Sequence, residues 1–174
     1  MPHINFEVKA RTARQADIRA WLHEQNADFK GVDFQTDTYF HVPHGRLKLR
    51  EGNIENSLIQ YFRTDDPAAR ISDVALAPVA DPTALKNALA RALGLKIEVR
   101  KRREIYFLGN VKIHLDDLAG LGQFVEIEAI APNPDMPVAE LEAQCRQFMA
   151  AFQIQPEDVL AVSYSDMVLS GMRN

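Results

Sequence analysis

Cysteine is nearly absent from this sequence of 174 residues, in which Cys145 is the only one. A single thiol excludes an intramolecular disulfide and a structural zinc site built from thiolates. Long apolar runs are also lacking, since none approaches the roughly 20 residues that a membrane helix requires. The first residues do not join a basic region to an apolar one, so a secretory signal is not expected. These absences predict a cytoplasmic protein that has no membrane partner.

An excess of positive charge is lacking as well. The chain has 20 Lys and Arg residues against 24 Asp and Glu residues, a formal net charge of −4, which argues against a nucleic-acid partner. With 47% hydrophobic and 25% charged residues, the composition is that of a folded protein. The length, together with the lack of internal repeats and of Gly/Ser linkers, predicts one domain over residues 1–174.

The charges that are present are unevenly distributed along the chain. Between Arg91 and His114 there are seven basic and two acidic residues, whereas residues 115–142 contain seven acidic residues and no Lys or Arg. Two interpretations are open. The two blocks are either ordinary solvated surfaces or parts of a site that needs both signs, such as a polyphosphate held by cations beside a metal held by carboxylates.

Alternating apolar and polar residues predict about eight strands. They lie at residues 4–9, 34–42, 46–50, 58–63, 71–77, 97–103, in a hairpin over 105–115, and at 124–130. Helices are predicted after a capping box of Thr12 and Gln15, from Pro82 to Gly94, and from Val138 to Phe152. The short connections favour antiparallel pairing, so we expect an α+β domain built on a large antiparallel sheet.

Several of these strands carry charged residues on one face. The polar faces are Asn5, Glu7 and Lys9; Arg46, Lys48 and Arg50; Lys112, His114 and Asp116; and Glu126 with Glu128. Like charges repeated along one face repel one another unless a counter-charge lies between them. Two carboxylates about 7 Å apart along a strand suit a shared Mg²⁺ or Mn²⁺. In a closed barrel with these faces inward, one ligand could supply both the anion that the basic faces require and the cation that the acidic pair requires. An exposed Glu-x-Glu pair is nevertheless the commoner occurrence.

These residues resemble the CYTH superfamily of triphosphate tunnel enzymes, which includes class IV adenylyl cyclases, thiamine triphosphatases and inorganic triphosphatases. The stretch Asn5-Phe6-Glu7-Val8-Lys9 is similar to the superfamily signature Glu-x-Glu-x-Lys. Residues 111–128 and the tail Ser163 to Leu169 resemble the corresponding segments of the class IV cyclase branch. The resemblance extends over almost the whole chain in order.

The resemblance implies a fold and a set of site residues. The fold would be a closed antiparallel eight-stranded β-barrel, open as a tunnel, with flanking helices. The divalent metal, Mg²⁺ or Mn²⁺, would be held by Glu7, Glu126 and Glu128, with help from Asp116 and Asn5. Phosphate oxygens would be held by Lys9, Lys48, Arg50, Arg63, Arg103 and Lys112. The candidate catalytic groups are Lys9, Lys112 and His114, of which His114 is either a proton-transfer group or a hydrogen-bonded wall residue.

Three functions follow from the resemblance, each with a nucleoside triphosphate or another triphosphate as the partner. The first and favoured one is a class IV adenylyl cyclase-like enzyme that converts ATP to cyclic AMP and pyrophosphate. The second is an inorganic or organic triphosphatase, and the third is a non-catalytic triphosphate-binding or sensing protein. Asn5 supports the third, because it replaces the first glutamate of the signature and brings no charge to a metal. A homodimer is compatible with the sequence.

Overall fold

Eight antiparallel strands form the framework of the computed structural model, which describes residues 3–63 and 71–171. The strands are β1 (His3–Arg11), β2 (Asp28–Phe40), β3 (Arg46–Glu51), β4 (Ser57–Arg63), β5 (Ile71–Pro78), β6 (Leu95–Leu108), β7 (Val111–Leu118) and β8 (Gly122–Ile130). The helices are α1 (Gln15–Glu24), α2 (Pro82–Leu93), α3 (Val138–Ala151) and α4 (Tyr164–Leu169), with a 3₁₀ turn at Pro156–Asp158. The predicted α+β class, with an eight-stranded antiparallel sheet and flanking helices, is confirmed.

The strand pairings run in the order β1-β5-β4-β3-β2-β6-β7-β8, which is that of a closed barrel. β1 has two neighbours, since it pairs with β5 along one edge and with β8 along the other. In the β1–β8 register, Glu7 lies opposite Glu128, and Lys9 lies opposite Glu126. The ring therefore brings the first strand of the sequence against the acidic last strand.

Some element boundaries differ from the sequence prediction. β2 begins at Asp28 rather than at residue 34, and the register shifts between Phe29 and Gly31, where Gly31 has a φ of 120° that favours glycine. The capping box predicted for α1 is wrong. The side chain of Gln15 is buried and donates to the backbone oxygens of Asp116 and Phe124, so it ties the helix to the barrel instead.

The main apolar core lies between the outer face of the barrel and the helices α1 and α3. Val125, Ile127 and Ala129 of β8 face outward into a cluster with Ile18 and Leu22 of α1 and with Leu141 and Cys145 of α3. Trp21 extends this cluster through edge-on contacts with Phe148 and Phe152. Because side chains alternate along a strand, this outward apolar face sends Glu126 and Glu128 inward.

A second apolar cluster closes one end of the barrel. Tyr164 and Met167 of α4 pack there against Tyr39, Val99 and Phe124. A capping box of Ser163 and Asp166 starts the helix, and Asp166 also accepts hydrogen bonds from Arg46 at 3.1 Å. The C-terminal segment is thereby fixed across the barrel end. Within the described residues, no helix has the length and apolar character needed to cross a membrane.

Candidate active site

A cavity of about 570 Å³ occupies the inside of the barrel, and each of the eight strands contributes side chains to its wall. Ten of the predicted site residues line it, namely Asn5, Glu7, Lys9, Lys48, Arg50, Arg103, Lys112, His114, Glu126 and Glu128. Arg63 ends β4, but its side chain lies outside the described residues. The alternation of the strands thus brings most of the predicted residues into one chamber.

The alternation of side chains along β6 divides its basic residues between the two faces of the barrel. Lys101 and Arg103 point inward and are buried, whereas the side chain of Arg100 is 79% exposed on the outside. Arg103 is the predicted phosphate-binding residue of this cluster, and Lys101 lines the cavity beside it. Two of these basic residues therefore belong to the chamber, and Arg100 belongs to the outer surface.

Asp37 of β2 is the counter-ion for one group of cations. Its carboxylate accepts from Lys48 at 2.9 Å, from Arg50 at 2.8 and 2.9 Å, and from Lys101 at 2.9 Å. Burial acts to raise the pKa of Asp37, but Arg50, Lys101 and Lys48 together hold it well below its ordinary value. One carboxylate with three cations leaves this part of the wall positively charged, which suits an anionic ligand.

Glu55, in the loop between β3 and β4, is the counter-ion for a second group. It accepts from Arg50 at 3.0 Å and from Lys112 at 2.5 Å. Neither Asp37 nor Glu55 is among the site residues predicted from the sequence. Asp37 shares an inward face of β2 with Gln35 and Tyr39, a polar alternation that could have been noticed, whereas Glu55 lies in a loop, where no periodicity indicates direction.

Arg103 is fixed by acidic partners on β7 and β8. It donates to both oxygens of Asp116 at 2.6 Å and to Glu126 at 2.7 Å, and Tyr164 donates to Asp116 at 2.7 Å. Burial acts to lower the pKa of Arg103, but Asp116 and Glu126 raise it well above its ordinary value. Asp116 was expected to assist a metal. In the structure Asp116 is completely buried and does not line the cavity, and its two oxygens orient Arg103.

Glu126 connects three inward side chains. It pairs with Lys9 at 2.9 Å and with Arg103, and it lies 3.2 Å from Nδ1 of His114. Burial lowers the pKa of His114 to about 4, with help from Arg103 and against the influence of Glu126. The imidazole is therefore neutral near pH 7. Because the Glu126 carboxylate can only accept, Nδ1 donates to it, and Nε2 is left as a buried acceptor without a hydrogen-bond partner among the described residues.

The best candidates for holding a divalent cation lie where β1 meets β8. Glu7 and Glu128 are directly opposed across the two strands, an arrangement that repels unless a cation intervenes. Asn5 donates from Nδ2 to Glu128, and its buried Oδ1 has no hydrogen-bond partner in the described part of the chain. Three oxygen donors of this kind fit Mg²⁺ or Mn²⁺. In residues 3–63 and 71–171, no three His, Cys, Asp or Glu side chains are already arranged to hold a metal ion.

The buried amine of Lys101 leads to a pH-dependent prediction. Burial lowers its pKa to about 7 from the ordinary 10.5, although Asp37 acts to raise it. Between these two values the unfolded chain binds more protons than the folded one, so stability rises with pH. We expect the free energy of unfolding to increase by about 2 kcal/mol from pH 7 to pH 9 because of this lysine.

Urea unfolding at both pH values, on wild type and on Lys101→Met, measures the effect. The substitution removes the titrating amine and leaves Asp37 with Lys48 and Arg50. An equally large rise in Lys101→Met would contradict the assignment.

Comparison with known proteins gives the family context of this chamber. The sequence profile of the CYTH domain family matches residues 3–164 of the chain. No curated protein is significantly similar to the chain in sequence. The match of the family profile confirms the resemblance to the CYTH family that the sequence indicated.

Solved structures share the fold over almost their whole lengths. A protein from Pyrococcus horikoshii is 26% identical, with a TM-score of 0.80 over 93% of this chain and 98% of its own. A provisionally assigned adenylate cyclase from Vibrio parahaemolyticus is 18% identical, with a TM-score of 0.77 over 97% and 99% of the two chains. A provisionally assigned adenylyl cyclase from Hippeastrum, with a dominant triphosphatase activity, is 14% identical, with a TM-score of 0.65 over 98% and 96%. The last two likenesses concern the fold alone.

Proposed function

Because the chain belongs to the CYTH domain family, whose members bind triphosphates and are in general metal-dependent enzymes, we propose that it is a metal-dependent enzyme acting on a triphosphate inside the barrel. The observation that carries the proposal is the convergence of six inward cations with opposed carboxylates in one chamber. The cations are Lys9, Lys48, Arg50, Lys101, Arg103 and Lys112. A linear triphosphate needs several cations along its length and a divalent ion against its oxygens.

The metal would be held by Glu7, Glu128 and Oδ1 of Asn5, and when bound it would neutralise charge on the phosphate oxygens. Glu126, which the sequence also suggested as a ligand, is engaged by Lys9 and Arg103. Glu126 would therefore hold Lys9 and Arg103 in place at the cavity wall.

The favoured reaction is the cyclase reaction on ATP. Apolar side chains also line the cavity, among them Ile54, Leu76 and Phe107, and they support a substrate with an organic group on the triphosphate. The ribose 3′-oxygen would bond to the α-phosphorus while that phosphorus loses its bond to the bridging oxygen, and pyrophosphate would leave. The wall cations bind and orient the phosphate chain.

The proton of the attacking hydroxyl requires an acceptor in the chamber. Nε2 of His114 is an unpartnered acceptor on the wall, and it would receive this proton and pass it to solvent. With a pKa of about 4, it is a weak base that releases the proton readily. Lys9 and Lys112, the other catalytic candidates, would stabilise charge on the phosphate oxygens.

Triphosphate hydrolysis is the second candidate, because the same cations would hold the chain while water attacks the terminal phosphorus. Incubation of the purified protein with Mn²⁺ and ATP separates the alternatives. We expect cyclic AMP and pyrophosphate in equal amounts, and neither without Mn²⁺. Free phosphate alone would replace the cyclase proposal with hydrolysis, and a rise in melting temperature without turnover would indicate a binding protein.

A further inference from the structure

Glu55 spans the cavity between two walls that are not neighbours in the sheet. Its carboxylate contacts Arg50 of β3 and Lys112 of β7, and the strands β2 and β6 separate these two in the ring. Both cations line the cavity, and both were expected to hold phosphate. The carboxylate therefore occupies a position between two cations that a phosphate oxygen would take.

The loop that carries Glu55 is fixed in place by Asp33, which is completely buried. Asp33 accepts from the backbone nitrogens of Ile54 at 2.9 Å and of Glu55 at 3.0 Å. Its Oδ1 would lie only 2.5 Å from a Cβ at Gly52, so only glycine fits there. Gln35 also bonds both acids, Asp33 at 2.8 Å and Glu55 at 3.1 Å. These contacts fix the loop so that Glu55 points into the chamber. If the loop keeps this position when a ligand binds Arg50 and Lys112, the side chain of Glu55 must rotate away.

From this arrangement we infer that Glu55 is an internal anion that competes with the phosphate chain for Arg50 and Lys112, and so sets which anions the cavity accepts. This inference rests on the proposed function. A ligand must displace the carboxylate from both cations before it can bind them. The contacts of a weakly bound anion such as inorganic phosphate do not offset the free energy lost when Glu55 leaves Arg50 and Lys112. A triphosphate offsets it because it also contacts further cations.

Protonation of Glu55 does not release Arg50 and Lys112 for a ligand. Burial acts to raise the pKa of Glu55, but Lys112 and Arg50 hold it far below its ordinary value, so the group stays charged. The carboxylate has to rotate away from the two cations, and its negative charge stays near the incoming phosphates. Glu55 is thus a specificity-determining residue rather than a catalytic one.

Calorimetric titration of inorganic triphosphate, and separately of inorganic phosphate, into wild type and Glu55→Gln tests the inference. Removal of the competing charge is expected to tighten triphosphate binding roughly tenfold and to make inorganic phosphate binding measurable. The melting temperature of the unliganded variant should fall, because two ion pairs are lost. A merely structural role would weaken both binding and stability.

Glu51→Gln is the matched control, since Glu51 pairs with Lys86 and does not line the cavity; it should bind triphosphate as wild type does. Glu55→Asp, which shortens the side chain and keeps the charge, is a second variant, expected to give an intermediate gain. If wild type binds triphosphate and neither Glu55 variant binds it more tightly, the inference is wrong and the proposed function stands. If none of the proteins binds triphosphate, the proposed function is overturned together with the inference.

Discussion

Replacing Asp37 by asparagine is expected to lower the free energy of unfolding by about 3–5 kcal/mol, the usual cost of removing one partner from a buried ion pair. Asp37 is 1% exposed and holds Lys48, Arg50 and Lys101 through four hydrogen bonds. An amide keeps the shape but leaves three cations inside the barrel without their shared counter-ion. Urea unfolding at pH 7 measures the loss.

The control for Asp37→Asn is Asp17→Asn, which makes the same chemical change at a side chain that is 65% exposed and pairs with Arg14. An exposed pair contributes at most about 1 kcal/mol. If Asp37→Asn costs no more than Asp17→Asn, Asp37 does not hold the cation cluster as described.

Replacing Glu128 by glutamine is expected to reduce Mn²⁺-dependent turnover about 100-fold or more, because an inward oxygen donor loses its charge. The same change should leave the melting temperature unchanged or raise it. Glu128 faces Glu7 across the β1–β8 pair, and neutralising one member of a like-charged pair relieves repulsion. A loss of activity without a loss of stability is typical of residues kept for function.

Glu142→Gln is the matched control for Glu128→Gln, since Glu142 lies on α3 and pairs with Arg146 at the surface. It should retain wild-type turnover. Turnover by a folded Glu128→Gln protein within a few-fold of wild type would remove Glu128 from the proposed metal site.

Much of the chamber could be predicted from the sequence because strand alternation has a fixed period of two residues. The apolar partners Val125, Ile127 and Ala129 determine that Glu126 and Glu128 point inward, and the same reasoning places Lys48 and Arg50. These predictions depend only on local geometry and on burial of the apolar face.

What the sequence could not give is the pairing of charges across the barrel. Glu55 reaches Lys112 from a loop 57 residues away along the chain, and Lys101 meets Asp37 over a separation of 64 residues. Such contacts depend on the strand order and register of the closed ring, which no local pattern specifies. Asp116 shows the same limit, since alternation places it on the inward face, and only the tertiary structure reveals that Arg103 takes both of its oxygens.

We propose that charges of both signs, contributed by separate strands, form one chamber for a triphosphate and its divalent cation. A crystal structure of the protein with Mn²⁺ and inorganic triphosphate would show both ligands in place, because the anomalous signal of manganese locates the metal. We expect manganese between Glu7 and Glu128, with phosphate oxygens against Lys48, Arg50 and Lys112 and with the Glu55 carboxylate rotated away. Manganese and triphosphate bound only on the outer surface, with the inward ion pairs unchanged, would contradict it.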